Sequence, residues 1–293
     1  MPQVGVVFAD RIHVIEDHFI HAGPNGSHVC LVSQFAGPSL LDMHQCLDRT
    51  SGSRKVAKQV SEAVKMLHSS GILHGDLSSS NILFKMSRSA SQWSDFWAAP
   101  KYIKFPLRTL DPPFGVVAPV DSECLLSFIQ EDVLLINCGQ AVFSKCLLTD
   151  YQPAILLHYL SPEGLFGAEI GLPSNIWALA CILFEIRTGA PIFDSFFYGH
   201  NFIVKQIVEL GKLPEVWWAS WNDRTDWFNV TGHPLPDEEQ IRNGIIFAVK
   251  STLQQKLVSL LEELLGKMLK YDPDEWLSIE EVVEHRWFLY SDC

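Results

Sequence analysis

Basic residues are scarce in this chain. Its 293 residues hold 22 Lys and Arg against 34 Asp and Glu, for a formal net charge of −12 and a pI near 5.3. An acidic surface repels phosphate backbones and anionic lipid, so nucleic acid and membrane are not expected partners, whereas a basic peptide is. Paired cysteines are also lacking. Residues 30, 46, 124, 138, 146, 181 and 293 form an odd, widely spaced set with no CxxC. That argues against a zinc or disulfide framework and for reduced thiols in the cytoplasm or nucleus, and no basic-then-apolar leader is expected at the start. No apolar run is long enough for a bilayer, because the longest, near Ile176–Ile186, is interrupted by Glu185. There is no internal repeat. Apolar bulk is present instead: 47% of residues are hydrophobic and 19% charged, enough to bury a full core. This rules out a disordered chain, a collagen and a small disulfide scaffold. The length suits one large domain or two lobes sharing a cleft.

Patterning predicts strand, turn, strand at the start. His13–Ala22 is a mixed apolar run, Gly23-Pro24-Asn25-Gly26 a turn cluster, and His28–Gln34 alternates around Val29, Leu31 and Ser33 until Gly37-Pro38. A helix follows through Val56, Val60, Val64 and Leu67, with Ala63 beside them and Gly71 just beyond its end. Ile72-Leu73 and Ile82-Leu83-Phe84 read as short buried strands around a polar loop, His74–Asn81. Residues 87–130 contain Ser and Pro without clear period and are expected to be an insertion or elaborated loop. Asp132–Ile136 reads as a buried strand ending at Asn137-Cys138-Gly139.

Beyond it the pattern is helical. An apolar helix begins at Ser174 and runs through Ile176, Leu179, Ala180, Leu183 and Phe184. Leu257, Leu260, Leu261, Leu264, Leu265 and Met268 form another stripe, and Ser278-Ile279-Glu280-Glu281 is a capping box opening a last helix. A few strands followed by many helices predicts the α+β class. Trp217, Trp218, Trp221 and Trp227 are read as packing rather than as a platform for sugars or bases.

The chemistry-bearing loop is His74-Gly75-Asp76-Leu77-Ser78-Ser79-Ser80-Asn81, which sets an Asp and an Asn five residues apart between two strands. A phosphoryl-transfer site wants such a pair: the carboxylate orients a hydroxyl and accepts its proton, and the amide oxygen helps hold Mg²⁺. Four further pieces follow in order. They are Asn137-Cys138-Gly139 after a strand, Ser161-Pro162-Glu163 lying 22 residues beyond Gly139, the helix start Asn175-Ile176-Trp177, and Asp272-Pro273 with His285-Arg286-Trp287-Phe288.

In this order the pieces resemble the eukaryotic protein-kinase fold. More narrowly they are similar to the SR-protein kinase branch in its fungal form. That branch is suggested by the run from Gly23 to Val32, by Gly37-Pro38-Ser39-Leu40-Leu41, by His74-Gly75-Asp76, and by Trp217-Trp218 through Trp227-Phe228. The resemblance spans about residues 13 to 288. It implies a mainly α-helical large lobe over 37–293, with the insertion at about 87–130, and a truncated small β lobe of which 1–36 is the remnant. The Gly-rich phosphate loop, the strand-three Lys and the helix Glu have no counterpart, so the expectation is an N-terminally truncated, degenerate domain.

The resemblance also implies ATP and Mg²⁺ as cofactors, weak or absent if the chain is complete. Asp76 matches the catalytic base and Asn81 the Mg²⁺-binding Asn. Ser78 stands where most kinases have a Lys on the transferred phosphate. Asn137 replaces the Asp that is the main Mg²⁺ ligand, which removes much of the metal stabilisation and costs roughly two or more powers of ten in rate. The backbone of Gln34 and Ala36 would face adenine, with Leu83 under the ring. Gly75 replaces an Arg that pairs with an activation-loop phosphate, so no such switch is expected. Asn175 replaces the helix Asp that holds the catalytic loop. Trp276 replaces the Arg partner of Glu163, which must then find another partner or reach water.

Four readings follow. The first is a pseudokinase that binds a protein, Arg/Ser-rich in composition, with Asp223, Asp226, Asp237, Glu238 and Glu239 as candidate contacts. The second is an active Ser/Thr kinase whose small lobe is missing from this sequence. The third is a small-molecule phosphotransferase, which shares the His-Gly-Asp-Leu loop. The fourth is a structural helical module with an empty cleft.

Overall fold

Ile12 lies parallel to Leu135, more than a hundred residues away. His13 N donates to the Leu135 carbonyl and Leu135 N to that of Arg11, each at 2.8 Å. The computed structural model describes residues 11–43, 51–86, 102–104, 115–117, 129–146, 151–193, 199–229, 232–235 and 255–289. After Ile12 come strands β1 (Ile15–Gly23) and β2 (Gly26–Ser33), an antiparallel hairpin with His21 opposite His28. Gly26 turns the chain at φ +110, a conformation open to glycine. Both faces of this hairpin meet solvent: Ile20 is 71% exposed on one face and its strand neighbour Phe19 53% on the other.

Strand β3 (Ala36–Ser39) leads into the single turn α1 (Leu40–Met43), where Ser39 and Asp42 cap each other through backbone and side chain. Helix α2 (Ser51–Ser69) buries Val56, Val60, Val64 and Leu67, the stripe its 3.6-residue period predicts. Gly71, at φ +69, ends it in the left-handed conformation. Strand β4 (Ile72–Leu73) and the loop to Asn81 precede β5 (Ile82–Met86). Within the segment expected as an insertion, β6 (Tyr102–Lys104) pairs with β7 (Gly115–Val117); most of its other residues lie outside those described.

Strand β8 (Ile129–Leu135) completes an antiparallel sheet ordered β3-β5-β8, and β9 (Val142–Phe143) pairs with β4. Gln59 of α2 binds the edge of β8: its amide donates to Glu131 O at 2.8 Å and its oxygen accepts from Val133 N at 3.0 Å.

The helical body follows: α3 (Pro162–Leu165), α4 (Leu172–Thr188), α5 (Gly199–Val208), α6 (Glu215–Ser220), α7 (Gln255–Met268), α8 (Ile279–Val283) and α9 (Arg286–Leu289). Helix α4 is the axis of the core. Trp177, Leu179, Ala180, Ile182 and Leu183 cover its circumference and are all fully buried. It begins two residues before the expected Ser174, because Pro173 is tolerated in the first turn. Trp177 stacks on Phe193 with ring centres 5.6 Å apart. The capping box at Ser278 forms as its sequence predicts, with Ser278 and Glu281 bonding reciprocally. No described helix is long and apolar enough to cross a membrane.

The tryptophans behave as packing residues. Trp221 is buried and stacks on Trp227 at 5.6 Å, and Trp217 stacks on Phe166 at 5.2 Å.

Candidate active site

The loop from His74 to Asn81 is held from beneath by a histidine whose ring is bonded on both sides. His74 Nε2 donates to Ile136 O at 3.0 Å and its Nδ1 accepts from Asp76 N at 3.2 Å. The ring is completely buried, and burial lowers its pKa, so it remains neutral. This fixes Asp76 beside the strand end that carries Asn137.

Three side chains then converge. Asn81 Nδ2 donates to the Asp76 carbonyl at 2.7 Å and to Asp76 Oδ2 at 2.8 Å. Asn137 Nδ2 donates to the same Oδ2 at 3.1 Å and lies 3.4 Å from Asn81 Oδ1. Asn137 has φ 64 and ψ 45, and among the described residues no other non-glycine has a positive φ. Asn is among the few L-residues that tolerate this conformation. Ile136 N donates to Asn81 O at 2.9 Å, so the Asn81 backbone and the Asn137 turn are tied together.

A second network anchors the loop to α4. Ser79 Oγ donates to Glu185 Oε1 at 3.1 Å, and Tyr159 donates to Glu185 Oε2 at 2.6 Å. Ser79 Oγ and the Tyr159 hydroxyl are also 2.8 Å apart. Burial and the Glu185 carboxylate push the Tyr159 phenol well above its ordinary range, so it stays a proton donor. Tyr159 is not among the residues the sequence singles out, and Glu185 stands there only as an interruption of an apolar run. The signal was there: a lone acid in an otherwise buried helix must be paired.

Gly75 explains its own identity. At φ +78, a Cβ there would overlap the Tyr151 hydroxyl and lie 2.6 Å from the Gln140 carbonyl oxygen. Tyr151 donates to that carbonyl at 2.9 Å, so the tyrosine takes the volume a longer residue 75 would need. Burial, and then Asp76, raise the Tyr151 pKa.

The protein kinase domain family is matched by residues 143–288. The dual specificity protein kinase CLK1 of Mus musculus is 26% identical over 290 residues, covering 92% of this chain and 51% of that protein. The chain is a distant relative of the protein kinases. The serine/threonine-protein kinase AFC1 of Arabidopsis thaliana is 25% identical over 280 residues, covering 90% of this chain and 56% of the relative. The serine/threonine-protein kinase SRPK of Physarum polycephalum is 23% identical over 300 residues, covering 92% and 69% respectively. This kinase-like chain thus spans about half the length of the first of the curated relatives it matches.

Against the sequence expectations, Asp76, Asn81 and Asn137 come together and Ser78 does not join them. Ser78 is buried and its hydroxyl is 2.9 Å from that of Ser80. Leu83 lies on the less buried face of β5, opposite the face of Ile82, Phe84 and Met86. The stretch expected to face adenine makes contacts within the protein. His13 Nε2 donates to the Gln34 carbonyl at 2.9 Å, and Ala36 lies in β3 opposite Lys85. The Gln34 carbonyl is therefore engaged within the protein, a contact that local sequence could not reveal.

The two substitutions in the helical body also find partners. Asn175 Nδ2 donates to His68 Nε2 at 3.3 Å, linking α4 to the end of α2. Trp276 packs against Trp177 and donates its indole N–H to Lys270 O at 2.8 Å, which is core packing rather than ion pairing. Glu163 does not reach water. It is 3% exposed, Ser174 donates to Oε1 at 2.6 Å, and Oε2 has no hydrogen-bond partner.

Proposed function

We propose that this chain is a Ser/Thr-kinase-type domain of the SR-protein kinase kind acting chiefly as a pseudokinase. In this reading it binds an Arg/Ser-rich protein, and ATP-dependent transfer to Ser is weak or lost. One observation carries the proposal. Asp76 is read here as the hydroxyl-orienting base, and both partners on its Oδ2 are amides, Asn81 and Asn137. An incoming serine hydroxyl would meet a carboxylate oxygen already bonded to two N–H donors. The site supplies no second carboxylate from residue 137 to gather positive charge near a transferring phosphate.

The charge balance supports a basic partner. Net charge is −12, and Asp223 and Asp226 are exposed on the 3₁₀ turn Asn222–Asp226 beside the tryptophan cluster. Asp237, Glu238 and Glu239 lie outside the described residues. Guanidinium groups pair well with carboxylates. The alternative, an active kinase, is favoured by the hydrogen bonds that order the loop at His74, Asp76, Ser79 and Asn81. The relatives named above are all protein kinases, which gives no support to a small-molecule substrate.

The test uses one peptide of alternating Arg and Ser for two assays. Saturable binding that weakens with added salt is expected, with phosphate incorporation no higher than for Asp76→Asn. Turnover clearly above that control would overturn the pseudokinase reading. Absence of binding would overturn the partner.

A further inference from the structure

We propose that the Asn137 side-chain amide takes the place of a divalent cation in this cleft, so that the site is organised without Mg²⁺. The inference rests on the kinase-type reading of the cleft but not on whether phosphoryl transfer occurs.

The chemistry of the donor set is the starting point. A Mg²⁺ site needs oxygens with negative charge, arranged octahedrally close around the ion. Here the converging groups are one carboxylate and two amides. Among the described residues, no cluster of three or more His, Cys, Asp or Glu could hold a metal ion. Asn137 Nδ2 points at Asp76 Oδ2 and Asn81 Oδ1, so the amide donates to the carboxylate and to the oxygen expected on a metal, where a ligand would have to accept. Its polar hydrogens fill the role of the positive charge.

The orientation is dictated by its neighbours. Asn81 Nδ2 faces two acceptors, the carbonyl and the carboxylate of Asp76, so Asn81 Oδ1 must be the atom presented to Asn137. Exchanging N and O on Asn137 would then set its oxygen against Asp76 Oδ2 and Asn81 Oδ1 with no proton to bridge it to either. The backbone cannot readily swing the side chain away. Residue 137 sits at φ 64, with Ile136 O held by His74 at 3.0 Å on one side and Gln140 O held by Tyr151 at 2.9 Å on the other. Bringing the Asn137 oxygen to a metal would require rotating the amide and breaking its bond to a carboxylate. The ion does not fit the cleft as it is built.

Asn137→Asp is the informative variant, because Asp also tolerates the left-handed backbone. It sets a second carboxylate against Asp76 with no proton between them. In EDTA its thermal midpoint should fall below that of the natural chain, and millimolar Mg²⁺ or Mn²⁺ should restore it. The natural chain should show no midpoint change with either ion, and ADP should shift its midpoint equally in EDTA and in Mg²⁺.

A natural chain that Mg²⁺ stabilises, or whose ADP affinity improves about tenfold with Mg²⁺, overturns the inference. So does an Asn137→Asp variant that is as stable as the natural chain in EDTA and indifferent to metal. Should Asn137→Asp fail to fold, Asn81→Asp and the metal titration of the natural chain decide the question by the same criteria. Mg²⁺ binding without peptide phosphorylation would sink this inference alone. Indifference to Mg²⁺ without peptide binding would sink the proposed partner alone.

Discussion

Glu163 has one oxygen bonded to Ser174 and the other with no partner, in a place almost closed to water. Burial raises its pKa above the ordinary carboxyl range, against the pull of the Ser174 bond. The folded state therefore keeps this proton to higher pH than the unfolded chain does. Its contribution to stability is present in acid and is lost as pH rises through the folded pKa. Glu163→Gln keeps an oxygen for Ser174 and removes the ionisation. Urea unfolding at pH 7 should find this variant equal to or up to about 1 kcal/mol more stable than the natural chain, with a flatter decline from pH 4.5 upward. A loss of stability on Glu163→Gln at pH 7 would mean that the charged form is favoured by a contact not seen here. Gly75 illustrates the same scale differently. The residue type was legible as a departure from the kinase pattern, but its cause is the Tyr151 hydroxyl packed where a Cβ would go.

The hairpin of β1 and β2 has little packing to support it. Ladder hydrogen bonds hold its two strands, yet Phe19, Ile20, Val29 and Leu31 all face solvent. A two-stranded ribbon in water is marginal, and among the described residues no third strand pairs with it. Helix α4, by contrast, is buried around its circumference. Amide hydrogen exchange of residues 15–33 should thus be faster by orders of magnitude than that of the middle of α4. Equal protection in the two would show that something covers the hairpin in solution. Both elements were visible as patterns, one as a short alternation around Val29, Leu31 and Ser33, the other as an apolar run. What alternation could not say is that neither face of the hairpin would be buried, since burial depends on what packs against it.

At the scale of the molecule, neutral histidines limit stability in acid, because burial lowers the pKa of His68, His74 and His285. His68, at the end of α2, has a pKa lowered to about 4, chiefly by burial and despite the nearby Glu280 carboxylate. Burial also lowers His74 beneath the candidate catalytic loop. The unfolded chain takes up these protons first, near pH 6.5, so their contribution is present above that value and is lost as pH falls toward 4. Unfolding midpoints in urea should therefore drop between pH 7 and pH 5, and His68→Gln should drop less. A natural chain as stable at pH 5 as at pH 7 would contradict the burial seen here. Glu163 has the opposite sign, and the three histidines outnumber it in this window.

The sequence by itself determined the α+β class, the order of the elements, and the residues of the loop between His74 and Asn81. Those signals are local: helical and strand periodicity, a capping box and short spacings are all read within a few residues. Only the tertiary structure decided which polar groups meet. It set the Asn137 amide on an aspartate 61 residues away, bound His13 to the Gln34 carbonyl, gave Glu185 to Ser79 and Tyr159, and left one oxygen of Glu163 without a partner. The direction of a hydrogen bond belongs to assembled surfaces, and no periodicity in the chain encodes it.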